Sequence, residues 1–216
     1  MSAVARMVML DLRTAAPNRW QGLLLFGVCV VVLAGNRPVV IVPALVLLLT
    51  SQFAAYPFVI GDKAGLETLY AVLPLPRSAV LRGHYAWAVS CFVATAVVGS
   101  AMALILGWAK SEPIGARELL TALTLSWAIF VVNVSIQFPL YIRFGYSRIS
   151  LMSTFLPLAV VMVALTRMHL SIVSFAALQN WLPLFWAAGA LAIAGSTVVA
   201  GTADRRRWAA PARPRS

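Results

Sequence analysis

Charged residues are scarce in this sequence, and acidic residues are the scarcest. Of its 216 residues only 11% are charged, with six Asp and Glu in all, whereas 62% are hydrophobic. A soluble domain is roughly 25% charged and about 45–50% apolar, and one core of this size could not bury so much apolar surface. These proportions exclude an ordinary soluble domain and indicate that lipid is the main solvent of the chain.

The residues that build metal and catalytic sites are also few. The two cysteines, Cys29 and Cys91, lie inside long apolar runs, which excludes a disulfide framework and a cysteine-rich zinc site. No glycine-rich loop ends in Gly-Lys, so the sequence lacks a phosphate cradle for ATP. The two histidines, His84 and His169, fall on opposite sides of the membrane in the topology derived below, which excludes a two-histidine metal site. We therefore expect a chain that is not an enzyme and has no catalytic residues, cofactor or metal.

Long charge-free segments are what the sequence has in abundance. A bilayer core needs about 20 apolar residues of helix to cross it. The first candidate span is short, and a cleaved signal peptide is its alternative interpretation, which Asp11 and the apolar run that follows disfavour. Aromatic residues at span ends, such as Tyr85, fit interfacial belts. The six predicted spans are 20–35, 38–60, 85–109, 119–141, 149–166 and 181–203. The sequence thus predicts an all-α membrane protein with one six-helix transmembrane domain over 1–203.

Basic residues are distributed unevenly between the predicted loops. With both termini inside, thirteen of the 17 Lys and Arg residues lie on the inner side. This is the positive-inside bias of membrane proteins, so the net charge of +11 needs no nucleic-acid partner. The Ala-, Val- and Arg-rich composition is typical of bacteria with GC-rich DNA. We expect a multi-pass protein of the bacterial cytoplasmic membrane, with both termini cytoplasmic. Its basic tail, 204–216, is predicted to be disordered and attracted to anionic membrane lipid.

Three segments outside the predicted spans have amphipathic patterns. Residues 1–16 are predicted to form a helix that lies on the inner leaflet, and 167–180 a short outer helix before span six. In the inner loop, 61–83, apolar residues recur at helical spacing over 62–73. Prolines then stop this helix, because proline lacks a backbone donor and restricts the preceding residue. The helix over 62–73 either offers a surface on which a soluble partner can push or rests on the membrane.

The polar groups inside the predicted spans are neutral. Buried ionisable residues serve as relays in proton-coupled carriers, and their absence from the spans argues against such a carrier. The neutral groups either line a translocation path or form interhelical hydrogen bonds, and we favour the second interpretation. Ala188, Ala192 and Ser196, spaced four apart, predict a close helix contact. The polar candidates are Thr50, Ser51 and Gln52 in span two, and Ser126, Asn133 and Gln137 on one stripe of span four.

Residues 58–86, FVIGDKAGLETLYAVLPLPRSAVLRGHYA, resemble the signature segment of small type-2 ABC transporter permeases. The family's Leu-Pro-x-x-Arg motif is matched by the run from Leu73 to Arg77, and its Lys-Tyr pair at the start of the third span is matched in part. Tyr85 supplies the tyrosine, whereas His84 replaces the lysine. Weaker similarities cover 9–12 and 138–146. The inner loop thus carries the strongest similarity to this family, and the predicted six-span layout accompanies it.

The resemblance implies a transport complex of defined composition. Two six-span subunits, identical or homologous, would pair and bind two copies of a separate cytoplasmic ABC ATPase. Residues 1–16 would be the elbow helix, 62–73 the coupling helix that inserts into the ATPase, and 167–180 the outer helix. The complex would be an exporter; the alternatives are a non-transporting scaffold or accessory subunit, and a secondary carrier. The candidate coupling residues are Asp62, Lys63, Leu66, Glu67, Leu69, Tyr70, Leu73, Pro74 and Arg77.

Overall fold

The described part of the chain is almost entirely helical. A computed structural model describes residues 8–10, 12, 27, 38–64, 77–146, 159 and 181–209. These residues are 94% helical and contain no strand, which confirms the all-α prediction for this part of the chain. Four helical segments within it are long and apolar enough to cross a membrane, and they overlap predicted spans two, three, four and six. Their bounds are Pro38–Gly61, Ser78–Ala109, Ala116–Phe144 and Leu182–Thr202.

Several predicted segments cannot be compared with the structure. Predicted spans one and five, and the outer helix over 167–180, lie outside the described residues, apart from one residue in each span. The elbow helix over 1–16 and the coupling helix over 62–73 lie largely outside them. Six spans, the single domain over 1–203 and these two helices therefore stay predictions.

The first described span changes helix type along its length. A 3-10 turn, Pro38–Val40, leads into helix α1, Ile41–Leu45, followed by a π-helical segment, Val46–Thr50, and helix α2, Ser51–Ala64. Proline is tolerated at Pro38 because the first turn of a helix leaves its N–H groups unpaired anyway. Helix α2 continues to Ala64, beyond the end of predicted span two. Asp62 and Lys63 are therefore helical and lie in the last turn of α2.

Helix α3, Arg77–Ala109, starts earlier than the predicted third span. The sequence analysis assigned residues 77–83 to the inner loop because they include basic residues. Those charges lie at the end of the helix, where long side chains reach the interface, and Gly83 alone costs only about 1 kcal/mol in a helix. Small residues bring α3 close to α1. A Cβ atom built on Gly99 would lie 3.3 Å from the Cα atom of Val42.

A tight turn connects α3 to helix α4, Ala116–Phe144. The N–H of Lys110 donates to the carbonyl of Leu106 over 2.9 Å, and that of Glu112 to the carbonyl of Gly107 over 2.9 Å. Ser111 adopts a φ of +57°. Helix α4 ends where Gly145 takes a φ of +81°, a conformation available to glycine at no steric cost.

Helices α4 and α5, Leu182–Ala209, form the most extensive helix pair among the described elements. Gly189 lets them approach, since a Cβ atom built on it would lie 3.0 Å from Cγ2 of Val131 and would collide with the indole of Trp127. The predicted contact through Ala188 and Ala192 is wrong, because both side chains are exposed. The prediction holds for Ser196, which is buried and contacts α4. The other residues of the contact face are Gly189, Ile193 and Ala200.

Candidate coupling end and intramembrane contacts

The end of α2 and the start of α3, which flank the inner loop, lie beside each other and beside the last part of α5. Near the end of α2, the ring of Phe58 lies 5.0 Å from that of His84 near the start of α3. Near the end of α5, Gly201 lies against α3, with Cδ2 of Leu81 3.8 Å from where its Cβ would be. The exposed basic residues here are Arg82 and Arg143. We call this the basic end of the bundle.

Phe58 is the centre of an aromatic cluster at the basic end. Its ring centroid lies 4.9 Å from that of Phe138 and 5.4 Å from that of Tyr141, both on α4. Tyr85 of α3 contacts Phe138 edge-on, also at 4.9 Å. Such ring pairs contribute about 0.5–1.5 kcal/mol each beyond the burial of their area. The aromatic cluster, which consists of Phe58, His84, Tyr85, Phe138 and Tyr141, therefore holds α2, α3 and α4 together beside the predicted coupling segment.

Pro57 lies inside α2 and removes one backbone hydrogen bond. Because proline has no N–H, the carbonyl one turn earlier, that of Phe53, loses its usual donor. The indole N–H of Trp87 on α3 donates to this carbonyl over 2.9 Å. In lipid no water is available for an unpaired carbonyl, and neighbouring helices commonly supply the missing partner. Trp87 thus satisfies the carbonyl that Pro57 leaves free and joins α3 to α2.

The same arrangement recurs in α4. Pro139 leaves the carbonyl of Ser135 without its usual donor, and the hydroxyl of Ser196 on α5 donates to that carbonyl over 3.2 Å. Since the Ser196 proton is used there, the hydroxyl of Tyr85 donates to the Ser196 oxygen over 2.7 Å. The prediction that Tyr85 belongs to an interfacial belt is wrong: its side chain is 4% exposed, and burial with a hydrogen bond explains its position.

Other interhelix hydrogen bonds join threonine and tryptophan side chains. The hydroxyls of Thr50 and Thr95 lie 2.6 Å apart; Thr95 donates to the carbonyl of Cys91 over 2.8 Å, so Thr50 donates to Thr95. This bond joins the π-helical segment to α3. Between α5 and α4, the indole N–H of Trp186 donates to the hydroxyl of Thr124 over 3.1 Å. Sequence analysis singled out only Thr50 among these four partners.

The predicted polar stripe of α4 makes contacts within its own helix. Ser126 is fully buried, and its hydroxyl donates to the carbonyl of Ala122 over 2.6 Å. Gln137 is 6% exposed; its Oε1 accepts from the hydroxyl of Tyr141 over 3.3 Å, and its Nε2 has no partner. Asn133 is half-buried on α4, and Gln52 is exposed on α2. The structure thus distributes the four candidates over buried, half-buried and exposed positions.

Few of the predicted coupling residues lie in the described part of the chain. Asp62 and Lys63 occupy the last turn of α2, and Arg77 is the first residue of α3. The remaining candidates, which lie outside the described residues, are Leu66, Glu67, Leu69, Tyr70, Leu73 and Pro74. Helix α2 ends, and helix α3 starts, at the basic end of the bundle.

The long apolar helices of the described residues, joined by hydrogen bonds such as those of Trp87 and Ser196, are typical of an integral membrane protein. The sequence matches the model of the ABC-2 family transporter protein over residues 7–201, nearly the whole chain, and the chain belongs to this family. The resemblance to type-2 ABC transporter permeases is therefore confirmed. Proteins of this family are membrane transport subunits and are not themselves catalytic. No curated protein and no solved structure matches the chain.

Proposed function

We propose that this chain is the membrane-spanning permease subunit of an ABC-type exporter in the bacterial cytoplasmic membrane. It pairs with a second permease subunit, the same or homologous, and with a separate cytoplasmic ABC ATPase. The match to the family over residues 7–201 carries this proposal. Membership favours transport over a scaffold role, and the charge-free spans disfavour a proton-coupled carrier.

The distribution of charge supports a cytoplasmic position for the basic end. Exposed Arg82 and Arg143 lie there, and the basic run 205–207 continues α5 at the same end. The opposite end carries Lys110 and Arg117 beside Glu112 and Glu118. Positive residues are retained on the cytoplasmic side and attract anionic lipid. This orientation places the segment between α2 and α3 where a soluble ATPase can reach it.

Helix packing at the basic end supports the proposal that a displacement of the segment between α2 and α3 is transmitted to the spans. The segment begins where α2 ends, at Ala64, and finishes where α3 starts, at Arg77. Both helices are joined to α4 by the aromatic cluster. A displacement of the segment by ATP-driven closure of the ATPase pair therefore moves three spans together, and substrate is released outward or into the outer leaflet.

The proposal is tested by gentle detergent extraction of tagged chain from its native membranes, followed by an ATPase assay on the eluate. A cytoplasmic ATPase should co-elute with the wild type and be lost in the variant L69D/Y70D. The matched control S111D/A116D adds the same two charges to exposed positions at the opposite end and should retain the ATPase. A wild-type chain that elutes alone, or retention by L69D/Y70D, would contradict the proposal.

A further inference from the structure

Helices α2 and α4 each contain an internal proline, Pro57 and Pro139, and the carbonyl that each proline frees is paired with a side chain from another helix. Trp87 pairs with the carbonyl that Pro57 frees, and Ser196 pairs with the carbonyl that Pro139 frees. Helices bend most readily at proline, where a backbone hydrogen bond is missing. A donor from a neighbouring helix holds the freed carbonyl in place only while the two helices keep their relative positions.

Helix α3 takes part in one pairing and contacts the donor of the other. Trp87 donates directly to α2, whereas Tyr85 binds the Ser196 hydroxyl that serves α4. Residues two apart point about 200° apart around a helix, so α3 reaches one partner on each of two sides. Both residues lie near the start of α3, which begins at Arg77 immediately after the predicted coupling segment. A shift of α3 along or around its axis would break the bond from Trp87 to the Phe53 carbonyl and the bond between Tyr85 and Ser196.

The two prolines also lie close to each other. Phe58 follows Pro57 and Phe138 precedes Pro139, and the rings of these phenylalanines are 4.9 Å apart in an edge-to-face contact. Bending of α2 at Pro57 therefore displaces the residue next to Pro139. The aromatic contact links the two bends mechanically. Trp87 of α3 holds the first bend closed, and Ser196 of α5, which Tyr85 of α3 binds, holds the second.

We propose that Tyr85 and Trp87 make α3 a shared latch of two proline hinges, at Pro57 in α2 and at Pro139 in α4. The proposal rests on the proposed function, since a permease must alternate between conformations. In the conformation described here the latch is closed. When the coupling segment displaces α3, the carbonyl of Phe53 loses its donor, and Ser196, the donor to the carbonyl of Ser135, loses its bond to Tyr85. The basic-end halves of α2 and α4 then bend together. Tyr85 and Trp87 are positioning residues and contact no substrate in this scheme.

Two double-mutant cycles on the purified chain test the latch without any ATPase. W87F removes the indole N–H and keeps an aromatic ring, and P57A restores the backbone donor to Phe53. We expect W87F to lower the apparent melting temperature of the wild type by about 2–4 °C and to have less than half that effect in the P57A background. S196A should behave in the same way with P139A.

The control for these cycles is W108F. Trp108 is 85% exposed at the opposite end, so this substitution should shift the melting temperature equally, and little, in every background. Equal effects of W87F with and without Pro57, and of S196A with and without Pro139, would show that the donors do not serve the freed carbonyls. That result would overturn the proposal whatever the function of the chain.

A distance measurement separates the hinge from the function. Spin labels replace the exposed residues Arg82 and Phe144 at the basic end in a chain whose two cysteines are changed to alanine. In the complex with its co-purified ATPase, ATP with vanadate should change the label distance in the wild type and change it by less than half as much in P57A/P139A. An equal change in P57A/P139A overturns the hinges. No change in the wild type overturns the proposed function and the switching role with it, while the cycles still report whether the donors serve the freed carbonyls.

Discussion

Gly189 is the position where a single methyl group tests the helix packing most sharply. It lies on the contact face of α5, and the Cβ of an alanine there would collide with the Trp127 indole and lie 3.0 Å from Cγ2 of Val131. The indole cannot swing away easily. It stacks on Trp186 at 5.0 Å with an interplanar angle of 7°, and Phe92 lies 5.1 Å away on another side. G189A must therefore separate α4 from α5 or disturb this aromatic stack.

The magnitude follows from a comparison with a second glycine of α5. Gly195 has no atom within 4 Å of where its Cβ would be, so G195A adds a methyl group without a collision. Both substitutions gain the same helix propensity, about 0.8–1.0 kcal/mol, and this term cancels between them. Overpacking of a tight contact costs typically 1–3 kcal/mol. G189A should therefore be less stable than G195A by about 1–3 kcal/mol.

Thermal unfolding in detergent, followed by tryptophan fluorescence, provides the assay. In a chain of this size each kcal/mol shifts the melting temperature by roughly 2–4 °C, so G189A should melt about 2–12 °C below G195A. The emission spectrum of G189A should also change, because the Trp127–Trp186 stack lies at the collision. Equal melting temperatures and spectra for the two variants would refute the close approach of α4 and α5 at Gly189.

Three further predictions concern hydrogen bonds and the turn after α3. T50V removes the donor of the Thr50–Thr95 bond and should lower the free energy of unfolding by about 0.6–1.7 kcal/mol. In a thermal double-mutant cycle, T50V/T95V should lose less stability than the two single variants together. Strict additivity would contradict the bond. S111G should raise the melting temperature, because a φ of +57° costs a residue with a Cβ about 1–2 kcal/mol. S111V should lower it, because a β-branched residue tolerates a positive φ less well than serine does. W186F loses the bond to Thr124 and should destabilise the chain by about 1 kcal/mol relative to W108F, and equal stability would contradict the bond.

The positions of the spans could be predicted because charge is excluded from the bilayer core. Each of the four described spans overlaps a predicted charge-free segment. Their ends were less predictable, since helices continue beyond the charges that mark the interface. Residues 77–83 show this, because Arg82 sits on a continuous helix rather than in a loop. A charge in the sequence therefore marks where the apolar solvent ends, which need not be where the helix ends.

The faces of the spans could not be predicted from periodicity. Lipid tails are as apolar as the interior of the bundle, so helix association relies on close packing and hydrogen bonds instead of an apolar stripe. Ser196 of α5 lies in a helix contact as predicted, whereas the predicted Ala188 and Ala192 are exposed and Gly189 makes the close approach instead. Only glycine allows the approach to Trp127, and nothing in the sequence of α5 indicates where that tryptophan lies.

The acceptors of two interhelix hydrogen bonds could be predicted from the sequence, whereas their donors could not. Pro57 and Pro139 alone imply that the carbonyls of Phe53 and Ser135 need a donor, since each lies four residues earlier. The donors come from other helices, and Trp87 and Ser196 are 34 and 61 residues away from the carbonyls they serve. Such a pairing depends on how the helices are arranged in space, which the sequence pattern of a single span does not encode.

The proposed function requires that an ATPase docks on the segment between α2 and α3. The most direct measurement places a photo-crosslinking amino acid at position 70, in place of Tyr70, and in a second variant at position 108, in place of the exposed Trp108 at the opposite end. After irradiation of intact membranes, we expect a covalent adduct with a cytoplasmic ATPase from position 70 and none from position 108. No ATPase adduct from position 70, or the same adduct from both positions, would contradict it.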